Sequence, residues 1–136
     1  MGAPDSDWRA LEQFPCGDTP ELADELVALM LSGAKTATCW SAALGVRGTE
    51  VGKRWVALDG GGRPRAVLET TEIASRRYDA VDAAFAHDEG EDDRTLESWR
   101  AGHAEYFRRN GGFSPDMMLW CERFRLVAAI GEGDSQ

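Results

Sequence analysis

The segment that most constrains the fold is a pair of apolar runs around a glycine-rich turn. Residues 55–58 and 66–68 are typical of strands, and Asp59-Gly60-Gly61-Gly62 lies between them. This pattern predicts a β-hairpin whose second strand continues towards Ile73. Because a hairpin is antiparallel and no regular βαβ units follow, we expect a mainly antiparallel sheet.

Cap and stop signals predict where the helices lie. Asp18-Thr19-Pro20-Glu21 precedes an apolar run that ends at Gly33, which indicates a helix between them. Three further helices are predicted at residues 7–13, at residues 79–87, and from Thr95 to the Asn110-Gly111-Gly112 stop.

Two more strands complete the predicted order of elements. Residues 36–40 have the β-branched and aromatic composition that is typical of a strand. Along residues 120–127 two sets of side chains alternate, so each set lies on one face of a predicted strand. In the second strand we expect the face of Trp120 and Phe124 to pack and the face of Arg123 and Arg125 to show charge. The order fits a single α+β domain over residues 8–130, with flexible tails at residues 1–7 and 131–136.

Charge and cysteine content narrow the function classes. The net charge of −9 opposes strong, non-specific binding to a phosphate backbone, so any nucleic-acid contact must be local. Paired arginines such as Arg76-Arg77 and Arg108-Arg109 either form such a local basic surface or only solubilise the protein. The three cysteines have neither CxxC nor Cys/His ligand spacing, which argues against a disulfide framework and a zinc site.

The apolar runs are too short to span a membrane, and the acidic N-terminus lacks the basic region of a signal peptide. We therefore expect a cytoplasmic protein.

A longer pattern resembles a known family. Residues 22–38 read LADELVALMLSGAKTAT and are similar to the signature of the ASCH domain, a helix ending in glycine and then Gly-x-Lys-x-x-Thr. Gly33, Lys35 and Thr38 are the matching positions. The similarity continues in order through VGKRWVALDGGGRPRAVLETTEI, YDAVDAAFAHDEGEDDRTLESWRAGHAEYF and FSPDMMLWCERFRLV. The resemblance implies a PUA-like, mainly antiparallel β-barrel flanked by helices, with a cleft beside the lysine motif.

The resemblance also implies candidate catalytic residues. Some bacterial members cleave single-stranded RNA, and others remove the acetyl group from acetylated cytidine with a lysine, a threonine and a glutamate. These roles carry over to Lys35, Thr38 and Glu89, and Ser114 in GGFSPDMM matches a polar cleft residue of the ribonuclease-like members.

The first expectation is a hydrolase that cleaves single-stranded RNA around Lys35. The alternatives are an acetylcytidine amidohydrolase and a non-catalytic module that binds RNA or a modified nucleoside.

Other residues are expected around this centre. We expect four positions to contact the substrate, namely Gly33, Thr36, Trp40 and Arg76. Neither a cofactor nor a metal is expected; the acidic stretch 87–93 leaves a divalent ion possible, but a solvated turn is favoured. His103 follows Trp99 by four residues, which favours a packed, hydrogen-bonded histidine over a catalytic one.

The chemistry depends on the charge of Lys35. A lysine that acts as a base near neutral pH needs a pKa well below its usual value of about 10.4, whereas a charged lysine can stabilise a phosphate in a transition state. Residues three apart in a strand point to opposite faces, so Lys35 and Thr38 converge only if residues 33–36 form a turn. The structural alternative is that the positive charge of Lys35 only stabilises the C-terminal carbonyl groups of the preceding helix.

Overall fold

The computed structural model describes residues 8–46, 48–91 and 93–131. Its strands are β1 (Gln13–Pro15), β2 (Ala37–Ser41), β3 (Arg54–Leu58), β4 (Pro64–Arg77) and β5 (Met118–Ala129), and its helices are α1 (Pro20–Ser32), α2 (Ala83–Glu89) and α3 (Leu96–Arg109). Of the tails predicted to be flexible at residues 1–7 and 131–136, only Gly131 lies within the described residues. In the described part of the chain, every helix is too short or too polar to cross a bilayer.

The five strands form one sheet in the order β1-β3-β4-β5-β2. β1 runs parallel to β3, and the other three neighbouring pairs are antiparallel. The α+β class and the mainly antiparallel sheet are therefore confirmed, although in the described residues the sheet stays open, with β1 and β2 at its edges. The hairpin of β3 and β4 is also confirmed, and β4 extends past the predicted Ile73 to Arg77.

Helix α1 begins and ends where its sequence signals predict. The Thr19 hydroxyl accepts a hydrogen bond of 3.1 Å from the Leu22 N–H, and Gly33 ends the helix in the left-handed region at φ +85°. Val27 and Met30 are buried and pack with Phe124. This helix therefore covers the face of the sheet that Phe124 occupies.

The helix predicted at residues 7–13 is wrong. Residues 8–10 form a single 3₁₀ turn, and the chain then pairs with β3 as β1. The Val56 N–H donates to the Glu12 carbonyl at 2.9 Å. So short a segment has little helical stability of its own, and the hydrogen bonds offered by β3 outweigh it. The prediction's first residue, Asp7, lies outside the described residues.

The helix predicted at residues 79–87 is divided. Tyr78–Ala80 form a 3₁₀ turn, and α2 begins only after Asp82, whose carboxylate accepts a 2.9 Å hydrogen bond from the Phe85 N–H. An aspartate at this position satisfies an N–H that has no partner within the helix, so it fixes the start of the helix. The helix predicted from Thr95 is confirmed, with Thr95 as its capping residue.

Strand β5 is packed on both faces, contrary to the expected charged face. Leu119 and Cys121 are buried with residues of α2 and α3, while Phe124 is buried on the opposite face with α1. The predicted charge remains only at Arg123 and Arg125. Because α2 and α3 cover the second face, β5 lies between two layers of helix.

A close contact at the β3–β4 turn holds α1 against the sheet. The Gly60 N–H donates to the Asp24 carboxylate at 2.8 Å. A Cβ at Gly60 would lie 2.2 Å from the Pro20 carbonyl oxygen, whereas a Cβ at Gly61 would meet only ordinary contacts, beginning at 3.5 Å. Gly60 is therefore required for the approach of the helix, and Gly61 is not.

We expect Gly60→Ala to lower the free energy of unfolding by about 1 to 3 kcal/mol, because the methyl group forces two backbones apart. The matched control, Gly61→Ala, should change it by less than about 0.5 kcal/mol. Urea denaturation of the two variants measures both values. Equal effects of the two substitutions would contradict the close contact at Gly60.

Candidate active site

Lys35 is the centre of a buried ionic cluster. Only 2% of the residue is exposed. Its Nζ lies 2.7 Å from Glu91 Oε2, 3.1 Å from Glu89 Oε1 and 3.3 Å from the Glu89 carbonyl oxygen. An ammonium group has three N–H donors, so these three acceptors satisfy it completely.

The backbone around Gly33 directs Lys35 into this cluster. After Gly33 ends α1, the Lys35 N–H donates to the Leu29 carbonyl at 3.1 Å, so residues 33–36 do form a turn before β2 begins. The Thr36 N–H then donates to the Asp88 carbonyl at 2.7 Å. These two hydrogen bonds join the end of α1 to the end of α2.

Gly90 allows the two segments to approach. Its φ is +74°, and a Cβ there would lie 2.4 Å from the Ala34 carbonyl oxygen. The Arg94 guanidinium donates to the same Ala34 oxygen at 3.3 Å. Since Gly90 stands between Glu89 and Glu91, its contact with Ala34 brings both carboxylates to Lys35.

Helix α3 holds the second oxygen of Glu89. The Trp99 indole N–H donates to Glu89 Oε2 at 2.8 Å, and His103 Nε2 lies 3.5 Å from Oε1. The His103 ring stacks on Trp99 with centroids 4.3 Å apart, and its Nδ1 lies 2.9 Å from the Trp99 carbonyl oxygen. His103 is therefore packed and hydrogen-bonded, as expected, and it also faces the ionic cluster.

The pKa values of Lys35 and Glu89 are shifted in opposite directions. Burial disfavours the Lys35 ammonium, but the carboxylates of Glu89 and Glu91 outweigh that effect and raise its pKa above the ordinary value. Burial likewise favours protonated Glu89, but Lys35, His103 and the Trp99 N–H lower its pKa below the ordinary value. The pair is consequently ionised near neutral pH, and Lys35 in this state is not a base.

Glu91 and His103 have the opposite protonation behaviour to Glu89. Burial, together with the negative charge of Glu89, raises the pKa of Glu91 despite the opposing effect of Lys35. For His103, burial lowers the pKa, but Glu89 more than compensates and the pKa is raised. Both groups thus take up protons more readily than usual, which suits acid–base chemistry.

A polar cleft opens above this cluster. We use that name for the depression bordered by Thr38, Cys39, Glu89, Glu91 and His103. Lys35 is not among the described residues that border it, because the carboxylates cover its ammonium. The cleft therefore presents carboxylates, an imidazole and a hydroxyl rather than a free positive charge.

An aromatic cavity of about 410 Å³ adjoins the polar cleft. We define it by its ring-bearing and polar walls, which are Phe14, Trp40, Trp55, Tyr106, Phe107, Thr38 and Glu122. Thr38, Cys39 and Tyr106 border both spaces. A single ligand can therefore place a ring in the cavity and a substituent in the cleft.

The cluster also contains a set of possible metal ligands. Cys39, Glu89 and His103 each place a ligand atom within 4.8 Å of the others. However, Glu89 Oε1 already binds the Lys35 ammonium, and burial keeps the Cys39 thiol protonated by raising its pKa. The three residues do not fit a divalent cation while Lys35 is in place, so we assign no metal to them.

The structure brings some of the candidate catalytic residues together. Lys35 contacts Glu89 directly, and Thr38 borders the cleft beside Glu89. Within the described ranges, no side-chain hydrogen bond joins Thr38 to either residue, so only a substrate or water can connect them. Ser114 lies elsewhere, in a turn where its hydroxyl binds Asp116, and it does not border either space as described.

The four residues expected to contact the substrate lie in different parts of the structure. Trp40 borders the aromatic cavity, and its indole N–H donates to the Gly45 carbonyl at 2.8 Å. Gly33 and Thr36 shape the turn that carries Lys35. Arg76 is exposed on β4, 3.9 Å from Glu72, and is outside the described lining of both spaces.

Most of the arginines expected to form a basic surface are paired with carboxylates. Arg77 pairs with Asp79, Arg109 with Asp18, Arg123 with Asp88 and Arg125 with Glu69. These pairs leave little net positive charge for a phosphate backbone.

The acidic stretch at residues 87–93 is not a solvated turn, contrary to the expectation. Glu89 is 1% exposed, and Asp88 forms an ion pair with Arg123. Asp92 lies outside the described residues. Sequence reasoning also missed Glu91, Trp99 and Glu122 as site residues. The glycine between two glutamates was the one local signal that could have indicated the pair.

Comparison with known proteins shows the family of the chain. The family model of the ASCH domain matches residues 12–128, which is most of the chain. The chain belongs to the ASCH domain family. ASCH domains are in general RNA-binding or hydrolase-like modules. No curated protein matches the chain.

Solved structures show the same fold. Protein EF3133 from Enterococcus faecalis V583, of family DUF984, is 30% identical, with a TM-score of 0.81 over 92% of this chain and 81% of that one. An ASCH domain from Lactobacillus crispatus JV V101 is 27% identical, with a TM-score of 0.76 over 93% and 86% of the two chains.

A variant of the ZmASCH protein from Zymomonas mobilis is similar in fold alone. It is 10% identical, with a TM-score of 0.59 over 90% of this ASCH chain and 78% of that one.

We expect Lys35→Met to lower the free energy of unfolding by about 3 to 5 kcal/mol at pH 7, because it leaves charged Glu89 buried without its partner. The matched control is Lys53→Met. Lys53 pairs with Glu12, whose side chain is 59% exposed, so this substitution should cost about 1 kcal/mol or less. Chemical denaturation measures both values, and similar losses would contradict a specific role for the buried cluster.

We also expect the difference between wild type and Lys35→Met to narrow as the pH falls from 7 towards about 4.5. In the wild type the pKa of Glu89 is lowered, so its stabilisation is present above the ordinary glutamate pKa and is lost only at lower pH. Without Lys35, burial raises the pKa of Glu89, and protonation restores stability as the pH falls. Denaturation at several pH values tests this, and a difference that widens on acidification would contradict it.

Proposed function

We propose that the protein hydrolyses an amide bond on a modified nucleoside, with acetylated cytidine as the substrate that fits best. The observation that carries the proposal is the junction at Thr38, where an acid–base cluster meets an aromatic cavity. Small-molecule sites typically enclose about 300 to 1,000 Å³ and combine apolar walls with few polar groups. The cavity volume of about 410 Å³ suits one nucleoside.

Thr38 is the proposed nucleophile. Its hydroxyl oxygen attacks the acetyl carbon, and its proton passes to Glu91, which borders the same cleft and whose pKa is raised. The C–N bond then breaks, and the departing amine of the base takes the proton from Glu91. In a second step Glu91 takes a proton from a water molecule, whose oxygen attacks the acetyl carbon of the ester on Thr38. The ester C–O bond breaks, acetate leaves, and the Thr38 oxygen takes the proton from Glu91.

Lys35 and Glu89 position the other groups in this mechanism. The three hydrogen bonds of the Lys35 ammonium fix Glu89 and Glu91 relative to each other. Glu89 in turn fixes Trp99 and faces His103. Lys35 therefore does not act as a base in this mechanism. Its role is electrostatic, and that role needs the charged ammonium.

The charge of the site supports a neutral substrate over an RNA strand. Lys53 and Arg109 border the two spaces, and each is paired with a carboxylate, of Glu12 and Asp18 respectively. A chain of phosphates would meet Glu89, Glu91 and the net charge of −9. An uncharged nucleoside avoids that repulsion.

We expect the wild type to convert acetylated cytidine to cytidine and acetate, and Thr38→Val to lower kcat by about 100-fold or more, because removal of the nucleophile leaves only binding and electrostatics. Chromatography of timed reactions measures the rate. Thr71→Val, at an exposed position on β4, is the matched control and should retain wild-type activity.

One further variant tests the role of Glu91. Glu91→Gln should lower kcat with little change in KM, because it removes the proton carrier and keeps the shape of the side chain. Failure of the wild type to release cytidine would rule out the amidohydrolase activity. Full activity of Thr38→Val would rule out Thr38 as the nucleophile.

Cleavage of single-stranded RNA is the second candidate. It is favoured by Trp40 and Tyr106, half-buried aromatic residues at the cavity that are able to stack on an unpaired base. Incubation with end-labelled single-stranded RNA tests it. Cleavage that Lys35→Ala abolishes would support this candidate, and intact RNA would remove it.

A further inference from the structure

Trp55, in the wall of the aromatic cavity, carries a hydrogen-bond donor that the described part of the chain does not satisfy. Trp55 is 8% exposed, and its Nε1 is buried without a hydrogen-bond partner among the described residues. Edge-to-face contacts with Phe14 and Phe124, at centroid distances of 5.9 Å and 5.7 Å, fix the ring. A buried N–H without a partner costs free energy, and in a cavity wall a ligand acceptor removes that cost.

A buried acid shares the cavity wall with Trp55. Glu122 is 4% exposed, and the Thr70 hydroxyl donates to its Oε2 at 2.6 Å. A carboxylate has about four acceptor positions, so Glu122 is able to bind Thr70 and a ligand together. The mechanism proposed above gives Glu122 no part, although burying a carboxyl group in an aromatic cavity is costly.

The position of Glu122 relates this wall to the reacting group. Thr38 on β2 is the direct cross-strand partner of Glu122 on β5. Side chains of such partners lie on one face, with Cβ atoms about 4.5 to 5.5 Å apart. A ligand N–H bound by Glu122 is therefore held next to the Thr38 hydroxyl.

We propose that the aromatic cavity recognises the edge of a cytosine-like base through these two side chains. The Trp55 N–H donates to ring nitrogen N3, and Glu122 accepts from the N–H on the exocyclic nitrogen N4. An acetyl group on N4 leaves one N–H for Glu122 and extends towards Thr38 and the polar cleft. The inference rests on the proposed function for its class of substrate, and it adds the residues that choose the base.

Calorimetry with three nucleosides that cannot be hydrolysed tests this proposal on the intact chain. The probes are cytidine, 3-deazacytidine, which lacks the N3 acceptor, and the riboside of 2-pyrimidinone, which lacks the exocyclic amine. We expect the wild type to bind cytidine about 5-fold or more tightly than either analogue, in keeping with the loss of one hydrogen bond.

Two variants assign the contacts to residues. Trp55→Phe keeps an aromatic ring in the cavity wall and removes the N–H, so it should bind cytidine and 3-deazacytidine equally while still discriminating against the 2-pyrimidinone riboside. Glu122→Gln should mainly weaken the preference for the exocyclic amine, because the amide of glutamine offers one acceptor oxygen where the carboxyl group of glutamate offers two. The matched controls are Trp120→Phe and Glu69→Gln, whose side chains are outside the described cavity lining.

The outcomes separate this proposal from the reaction. Hydrolysis of acetylated cytidine together with cytidine affinities that Trp55→Phe and Glu122→Gln leave at control levels would overturn base recognition alone. The expected discrimination without any hydrolysis would overturn the reaction alone. If a variant does not fold, the wild type still decides, because equal binding of the three nucleosides, or no binding, overturns the proposal.

Discussion

The buried ion pair between Lys35 and Glu89 is the interaction on which the rest of the site depends. Taking an ammonium group out of water costs several kcal/mol, and only well-placed acceptors offset that cost. Here the three acceptors come from Glu89 and Glu91, which flank Gly90. The end of α1, the start of β2 and the end of α2 must therefore meet in one arrangement, and Trp99 adds α3 to it. We infer that the cluster specifies how the helices dock more than it adds net stability.

The same cluster divides the acid–base chemistry among its members. Glu89 is held as an anion by Lys35 and Trp99, so it organises the site without carrying protons at neutral pH. Glu91 shares the lysine but lies partly at the surface, where its side chain is 26% exposed and able to reach a substrate. The pKa values of two carboxyl groups beside one ammonium are thus shifted in opposite directions. This difference allows one group to be structural and the other to transfer protons.

The local features of the fold were predictable from the sequence, and the distant contacts of the site were not. Thr19 and Gly33 fix α1 through hydrogen bonds within a few residues, and the β3–β4 hairpin depends on adjacent segments, so pattern alone indicates both. The stretch that contains Glu89 looks like a solvated turn because its partner, Lys35, is 54 residues away. The family resemblance connected those two residues where local chemistry could not. Glu122 was missed for another reason: an alternating strand predicts which face a residue occupies, but not that a cavity lies over that face.

The position of β2 at the edge of the sheet explains how one site combines two different surfaces. Neighbouring residues of a strand point to opposite faces, so Thr38 and Cys39 belong to different sides of the sheet. In the middle of a sheet those sides are separated by the hydrogen-bonded strands. At an edge they meet, and both residues border the polar cleft as well as the aromatic cavity. A ligand that bends around this edge has its ring on the side of Glu122 and its substituent on the side of Glu89. That geometry suits a flat base with one short substituent.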